Sequence, residues 1–75
     1  MPDTPRPGDV YHSCDPRGGP SIRIESIDHT GRYAHIVDAA TGKRRRRILL
    51  TALHDSPTTH TGRPRRTGYA FEERP

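Results

Sequence analysis

The chain has few of the residues that build large hydrophobic cores. Only 28% of its 75 residues are hydrophobic, tryptophan is absent, and there is one phenylalanine and one methionine. A chain of this length buries only about 60% of its unfolded surface. We therefore expect one domain with one small core. Such a core leaves no room for an enclosed ligand pocket, which disfavours an enzyme.

Cysteine pairs and long apolar runs are also missing. Cys14 is the single cysteine, so an intrachain disulfide is excluded and nothing favours a secreted disulfide scaffold. No apolar run reaches the length that spans a bilayer, and residues 1–5 do not resemble a signal peptide. These features predict a cytoplasmic protein without a membrane partner.

Eight prolines and low hydrophobicity favour disorder, but the apolar residues are not scattered. The branched ones are concentrated at 22–50 and recur with the period of two that is typical of strands. We predict a single folded domain at 8–72, a flexible arm at 1–7 and a frayed end at 73–75. Residues 55–66 have no apolar side chain and two prolines, which predicts a mobile basic loop.

Alternation and turn residues predict an all-β domain with five strands, at residues 8–13, 21–28, 32–39, 43–50 and 67–71. One turn of tight helix is predicted at 51–54. The side chains predicted to face away from the core are Tyr33, His35 and Val37. Those predicted to face it are Val10, Ile22, Ile24, Ala34, Ile36, Ile48, Leu50 and Leu53. Tyr11 is placed at an edge. Ile27 falls out of phase, which predicts a bulge or the end of the strand there.

The predicted fourth strand begins with four consecutive arginines. Side chains alternate between the two faces of a strand. Arg45 and Arg47 are thus expected on one face with Leu49, and Arg44 and Arg46 on the other with Ile48. A helix from residue 43 to residue 53 is an alternative, but the surrounding strand patterns disfavour it.

This order of elements is that of a small SH3-like barrel. Three motifs resemble the opening of small bacterial SH3-like proteins: Gly8-Asp9-Val10, Gly18-Gly19-Pro20 and Ile22-Arg23-Ile24-Glu25-Ser26-Ile27. Later motifs resemble short uncharacterised proteins of actinobacteria and their phages: Asp15-Pro16-Arg17, Thr41-Gly42-Lys43-Arg44 and Gly68-Tyr69-Ala70-Phe71. The resemblance implies a five-stranded barrel and transfers no catalytic residue. The arginine run and the loop at 55–66 depart from it.

Charge is divided unevenly along the chain. Residues 1–42 carry four arginines and six carboxylates, a net charge of −2, whereas residues 43–75 carry nine cations and three carboxylates, a net charge of +6. A basic half favours an anionic partner such as nucleic acid or an acidic protein surface. Twelve of the thirteen cations are arginine, which fits bidentate phosphate recognition but equally a GC-rich genome.

The strongest functional hypothesis is nucleic-acid binding through Lys43, Arg44, Arg45, Arg46, Arg47, Arg63, Arg65 and Arg66. Tyr11, Tyr33 or Tyr69 would add base stacking if exposed on the same side. Two alternatives stay open. In the first, the chain is an accessory protein, encoded by a phage or mobile element, that docks on an acidic host protein. In the second, it is a domain whose arginines serve solubility alone.

Metal binding and catalysis have weaker support. His12, Cys14 and Asp15 offer three donor types within four residues, but zinc sites need three or four ligands at defined spacings. Cys14 with a histidine would form a nucleophile–base pair, whereas His12, Ser13 and Asp15 lie too close in sequence to converge as a triad. We predict no catalytic residue, no metal and no cofactor. Oligomeric state is open.

Overall fold

The computed structural model describes residues 5–59 and 61–74, and within them the chain forms six strands and one short 3-10 helix. The elements are β1 (Val10–Ser13), β2 (Ile22–Ile27), β3 (Tyr33–Asp38), β4 (Arg46–Leu49), the 3-10 turn η1 (Leu50–Ala52), β5 (Leu53–His54) and β6 (Tyr69–Glu73). The predicted arm at 1–7 and frayed end at 73–75 fall partly outside the described residues.

The strands form a single sheet in the order β4-β3-β2-β1-β6-β5 that curls into a nearly closed barrel. This confirms the predicted all-β, SH3-like class, with its short helical turn before the last strand. The sixth strand is an addition: Leu53 and His54 pair in parallel with Tyr69 and Ala70, at a position predicted as helical turn. No helix among the described residues is long and apolar enough to cross a bilayer.

Two bulges bend the strands. In β2 the pairing with β3 shifts between Ile24 and Ser26, so that Glu25 has no partner in the ladder. The phase of Ile27 predicted a bulge or a strand end, and the structure has both: Glu25 forms the bulge, and β2 ends at Ile27, which packs against the core. In β1 the pairing with β6 shifts between Val10 and Tyr11. Extra residues of this kind increase local twist and help a small sheet to close.

The core lies where the inner faces of β1, β2 and β3 meet. Its fully buried members are Tyr11, Ile22, Ile24, Ala34 and Ile36, and half-buried side chains of the remaining strands and of η1 pack around them. The Tyr11 and Phe71 rings meet edge to face, with centroids 5.7 Å apart. The four aliphatic members were predicted to face inward, and this is confirmed.

Tyr11 and Val37 were assigned wrongly. Tyr11 is only 2% exposed and belongs to the core, whereas Val10, predicted inward, is half-buried. Asp9 and Tyr11 are buried with Val10 between them, so alternation holds in β1 but in the opposite phase to the predicted one. The unpaired residue of the β1–β6 bulge is Glu72, on β6. Val37 was predicted to face away from the core but is 1% exposed. Arg23 stands opposite it in the β2–β3 register, and an arginine stem can cover an apolar neighbour while its head stays in water.

A buried ion pair joins the segment before β1 to the residue after β6. Asp9 is 0% exposed, and the Arg74 guanidinium donates to both of its carboxylate oxygens, at 2.9 and 3.0 Å. The Arg6 N–H donates a third hydrogen bond to Asp9 at 2.9 Å. The sequence predicted a frayed end at 73–75, yet β6 extends to Glu73 and Arg74 makes this contact. Two residues 65 positions apart carry no common sequence signal.

The carboxyl group of Asp9 is stabilised as an anion. Burial would raise its pKa, but hydrogen bonds from Arg74 and Arg6 and the charges of both arginines outweigh burial and lower the pKa below its ordinary value. A carboxyl group whose pKa is lower in the folded state stabilises the fold above its unfolded pKa. That contribution is lost as the pH falls through the folded pKa.

Arg74→Ala should lower the free energy of unfolding at neutral pH by about 3 kcal/mol, because it leaves the buried Asp9 carboxylate without its cation. The deficit should narrow as the pH falls through the pKa of Asp9 in the variant, because protonation removes the unpaired buried charge. Denaturant titrations across pH measure both effects. The matched control is Arg17→Ala, since Arg17 and Asp15 are exposed partners at 3.8 Å and their loss should change little. Equal effects of the two variants would contradict a stabilising role for Arg74.

Candidate nucleic-acid interface

The turn between β3 and β4 carries the first cations of the basic run. The Asp38 N–H donates to the Lys43 carbonyl at 2.8 Å, and the Gly42 N–H donates to the Asp38 carbonyl at 2.7 Å. Gly42 has a φ of 70°, which glycine adopts freely. Arg44 has a φ of 61°, the one positive φ of a non-glycine residue among those described. A side chain in this conformation costs on the order of 1 kcal/mol, so the turn holds Arg44 in a strained state.

The predicted strand at 43–50 is therefore too long. β4 covers only Arg46–Leu49, because the left-handed residues Gly42 and Arg44 cannot continue a pleat and the 3-10 turn begins directly after β4. Within β4 the predicted alternation is confirmed. The half-buried side chains are Arg46 and Ile48, and the exposed ones are Arg47 and Leu49.

Arg46 points inward and makes structural contacts. Its guanidinium donates to the Asp38 carboxylate at 3.3 Å, to the Tyr69 hydroxyl at 3.4 Å and to the Arg44 carbonyl at 3.2 Å. Hydrogen bonds to Tyr69 and Asp38 outweigh burial and raise the pKa of Arg46. Because Tyr69 lies on β6, Arg46 links β4 to a strand that is not its neighbour in the sheet. It was predicted to contact nucleic acid, but these contacts point to a role in closing the barrel.

Two further arginines face carboxylates but stay open to solvent. Arg44 lies 3.8 Å from Asp38, and its side chain is 75% exposed. Arg45 donates to both oxygens of Glu25, at 2.7 and 3.4 Å, and is 72% exposed. Glu25 is the residue that the β2 bulge leaves without a ladder partner. The same bulge thus shapes the barrel and brings a carboxylate to the arginine run.

A surface of β3, β4 and the residue before β4 is here called the outer face. It consists of the half-buried Tyr33 and His35 and the exposed Arg45, Arg47 and Leu49. Arg47 stands opposite His35 in the register, and its guanidinium lies 4.4 Å from the centroid of the Tyr33 ring. Leu49 stands opposite Tyr33 and is 49% exposed. Arg45 and His35 line one shallow depression. The outer face therefore combines two arginines, an aromatic ring and an apolar side chain.

A second, open depression of about 590 Å³ lies at the turn, where Pro20 of the β1–β2 loop approaches three arginines: Arg44, Arg45 and Arg46. Three arginines thus line one hollow, and their charges favour anions there. Together with Lys43 and Arg47, five cations stand against two carboxylates, Glu25 and Asp38. The hairpin thus keeps a positive net charge after its internal ion pairs are formed.

The arginines of the loop at 55–66 do not belong to the β3–β4 hairpin. The loop folds back on itself through a bridge between Thr58 and Pro64, and the Arg65 N–H donates to the Pro57 carbonyl at 2.9 Å. The Arg65 guanidinium also donates to the Ser56 carbonyl at 3.2 Å. The exposed Arg63 and Arg66 have no side-chain hydrogen bond or ion pair within residues 5–59 and 61–74. Among the described residues, no hydrogen bond or ion pair joins these two arginines to those of the β3–β4 hairpin.

The three tyrosines considered for base stacking lie in different surroundings. Tyr11 is buried in the core, and the half-buried Tyr69 accepts a hydrogen bond from Arg46. Tyr33 alone of the three lies on the outer face beside Arg47. It is therefore the one tyrosine placed to stack on a base next to the predicted cations.

Cys14 shows no sign of reactivity. Burial raises the pKa of its thiol, and the charge of Arg65 lowers that pKa only in part, so the thiol is protonated at neutral pH. Within the described part of the chain, no group of three or more histidine, cysteine, aspartate or glutamate side chains is placed to hold a metal ion. His12 and Asp15 thus gain no further ligand there.

Replacing Arg46 with methionine, which keeps much of the aliphatic stem, should lower the free energy of unfolding by about 1–3 kcal/mol, because Asp38 loses its nearer cation. Arg44→Gly should leave stability unchanged or raise it, since glycine relieves the positive φ. Thermal or denaturant unfolding measures both. An R46M protein as stable as the wild type would refute the structural role of Arg46.

Comparison with protein-family models, with curated proteins and with solved structures found no match to this chain. The function is therefore argued from the charges, exposure and contacts of its own residues. Those contacts separate Arg46, which is bound within the barrel, from Arg44, Arg45 and Arg47, which remain accessible.

Proposed function

We propose that the chain is a small binding module that contacts nucleic acid through the β3–β4 hairpin, largely independently of base sequence. The observation that carries the proposal is the exposure of Lys43, Arg44, Arg45 and Arg47 along one hairpin that keeps a positive net charge. Each cation that approaches a phosphate releases condensed counterions, which favours binding at low salt. Arg46 is not among the proposed contacts.

The ion pair of Arg45 with Glu25 is compatible with this role. Exposed pairs contribute roughly 0–1 kcal/mol, so a phosphate can displace the carboxylate at small cost. The pair also shows that the Arg45 guanidinium is already presented as a two-pronged donor, the geometry that suits phosphate oxygens. Glu25 thus acts as an internal competitor that sets the affinity of Arg45 for an external anion.

The loop arginines extend the proposal. Arg63 and Arg66 are exposed, and Arg65 is held by the Ser56 carbonyl. A polyanion longer than the hairpin would gain further phosphate contacts from these residues, in addition to those made by the outer face. The proposal requires a compartment that contains nucleic acid, and the cytoplasm predicted from the sequence meets that requirement.

Fluorescence anisotropy with labelled DNA and RNA at several salt concentrations tests the proposal. Binding should be detectable at low salt and should weaken as salt rises, with log K falling by about 0.7 to 0.9 per decade of salt for each phosphate neutralised. Arg45→Ala should lower both the affinity and the salt slope by about one contact. Absence of binding at low salt, or binding that does not depend on salt, would overturn the proposal.

Glu25→Gln should tighten binding by about threefold, because it frees Arg45 from its carboxylate and removes a negative charge. The matched control is Glu72→Gln, which makes the same charge change at an exposed position on β6. A gain in affinity that both variants share is explained by the change in net charge alone. The same affinity for E25Q and E72Q would contradict the role of Glu25 as an internal competitor.

Arg44→Gly separates charge from folding, since it removes a cation at a position whose backbone favours glycine. It should keep the thermal midpoint at or above that of the wild type while weakening binding by a few-fold in the same anisotropy assay. If the R44G variant binds as tightly as the wild type, Arg44 is not a contact of the nucleic acid. Weak binding that accompanies loss of the folded state would instead show that the turn needs the arginine.

A further inference from the structure

An open groove adjoins the outer face where β3 begins and β4 ends. Its volume is about 480 Å³, within the range of small-molecule sites. The groove is lined by Gly31, Arg32, Tyr33, Leu49, Leu50 and Thr51. Tyr33 and Leu49 also belong to the outer face, so the groove continues the surface on which Arg47 and Arg45 lie.

The groove offers an apolar contact surface and a positive charge together. Tyr33 is held on one side by the Arg47 guanidinium, 4.4 Å from its ring centroid. Leu49 is the one large hydrophobic residue among the described ones that is exposed. Arg32 at the groove rim is exposed as well. A ligand that fits must bring a flat apolar group and a negative charge at short separation.

An unpaired nucleotide has this combination. Its base presents a π-face that stacks on aromatic rings and guanidinium planes, and its phosphate is adjacent. In a duplex the base faces are covered by their neighbours in the stack, so a duplex can offer this surface only phosphates and groove edges. An acidic peptide supplies charge but no flat aromatic group at each residue.

Building on the proposed function, we propose that the hairpin prefers single-stranded nucleic acid and that one unpaired base enters the groove between Tyr33 and Leu49. The flanking phosphates then lie toward Arg32 on one side and toward Arg47 and Arg45 on the other. Arg47 has two roles: it fixes the Tyr33 ring and neutralises a phosphate. The strand therefore follows β3 and β4 along the outer face.

Three labelled probes of equal length test the inference on the wild-type protein at low salt: oligothymidylate, an abasic strand with the same number of phosphates, and a duplex. Oligothymidylate should bind about tenfold more tightly than the abasic strand, at the lower end of what stacking of one base on an aromatic ring contributes. Equal binding of all three probes would overturn the inference that a base enters the groove, but it would leave the proposed function unchanged. No binding of any probe would overturn both.

Two substitutions of Tyr33 locate the preference. Tyr33→Phe keeps the ring and should keep the tenfold difference between oligothymidylate and the abasic strand. Tyr33→Leu keeps an apolar side chain without a ring and should reduce that difference to less than twofold. Circular dichroism confirms the fold of each variant. A preference for oligothymidylate that survives in folded Y33L would overturn the assignment of the base to this groove.

Discussion

The contact of Arg46 with Asp38 and Tyr69 is the constraint on which both the barrel and the candidate interface depend. Asp38 ends β3 and Tyr69 begins β6, so one guanidinium on β4 joins two strands that are not neighbours in the sheet. Once Arg46 points inward, alternation along β4 forces Arg47 outward, where it meets Tyr33. The inward arginine therefore determines which arginine the surface presents.

Charge counted along the sequence does not equal charge available to a partner. The run from Lys43 to Arg47 contains five cations, but Asp38 and Glu25 engage three of them to different degrees. Burial separates these cases, because a half-buried pair is costly to break whereas an exposed pair exchanges readily with other anions. Arg46 thus belongs to the fold, while Arg45 remains available to a phosphate.

Local sequence pattern was sufficient where structure is locally determined. The period of two located β2 and β3 with most of their core residues, and the phase break at Ile27 located a bulge. It failed where structure depends on distant residues. No residue near Asp9 indicates its partner Arg74, and no residue type predicts the positive φ of Arg44. Alternation in β1 likewise does not show which of its two faces the core covers, and Tyr11 lies on that face. The carboxylate partners of the arginines were missed for the same reason.

The distribution of carboxylates follows from the repulsion among clustered cations. Five cations on one hairpin repel one another and destabilise the compact state unless anions lie nearby. Asp38, nearly buried, offsets part of that repulsion permanently, whereas the exposed Glu25 offsets a part that an external anion can take over. A polyanion would relieve the remainder along the whole outer face. The carboxylates of the hairpin thus offset its internal repulsion only in part, which leaves a positive surface where Arg45 and Arg47 are exposed.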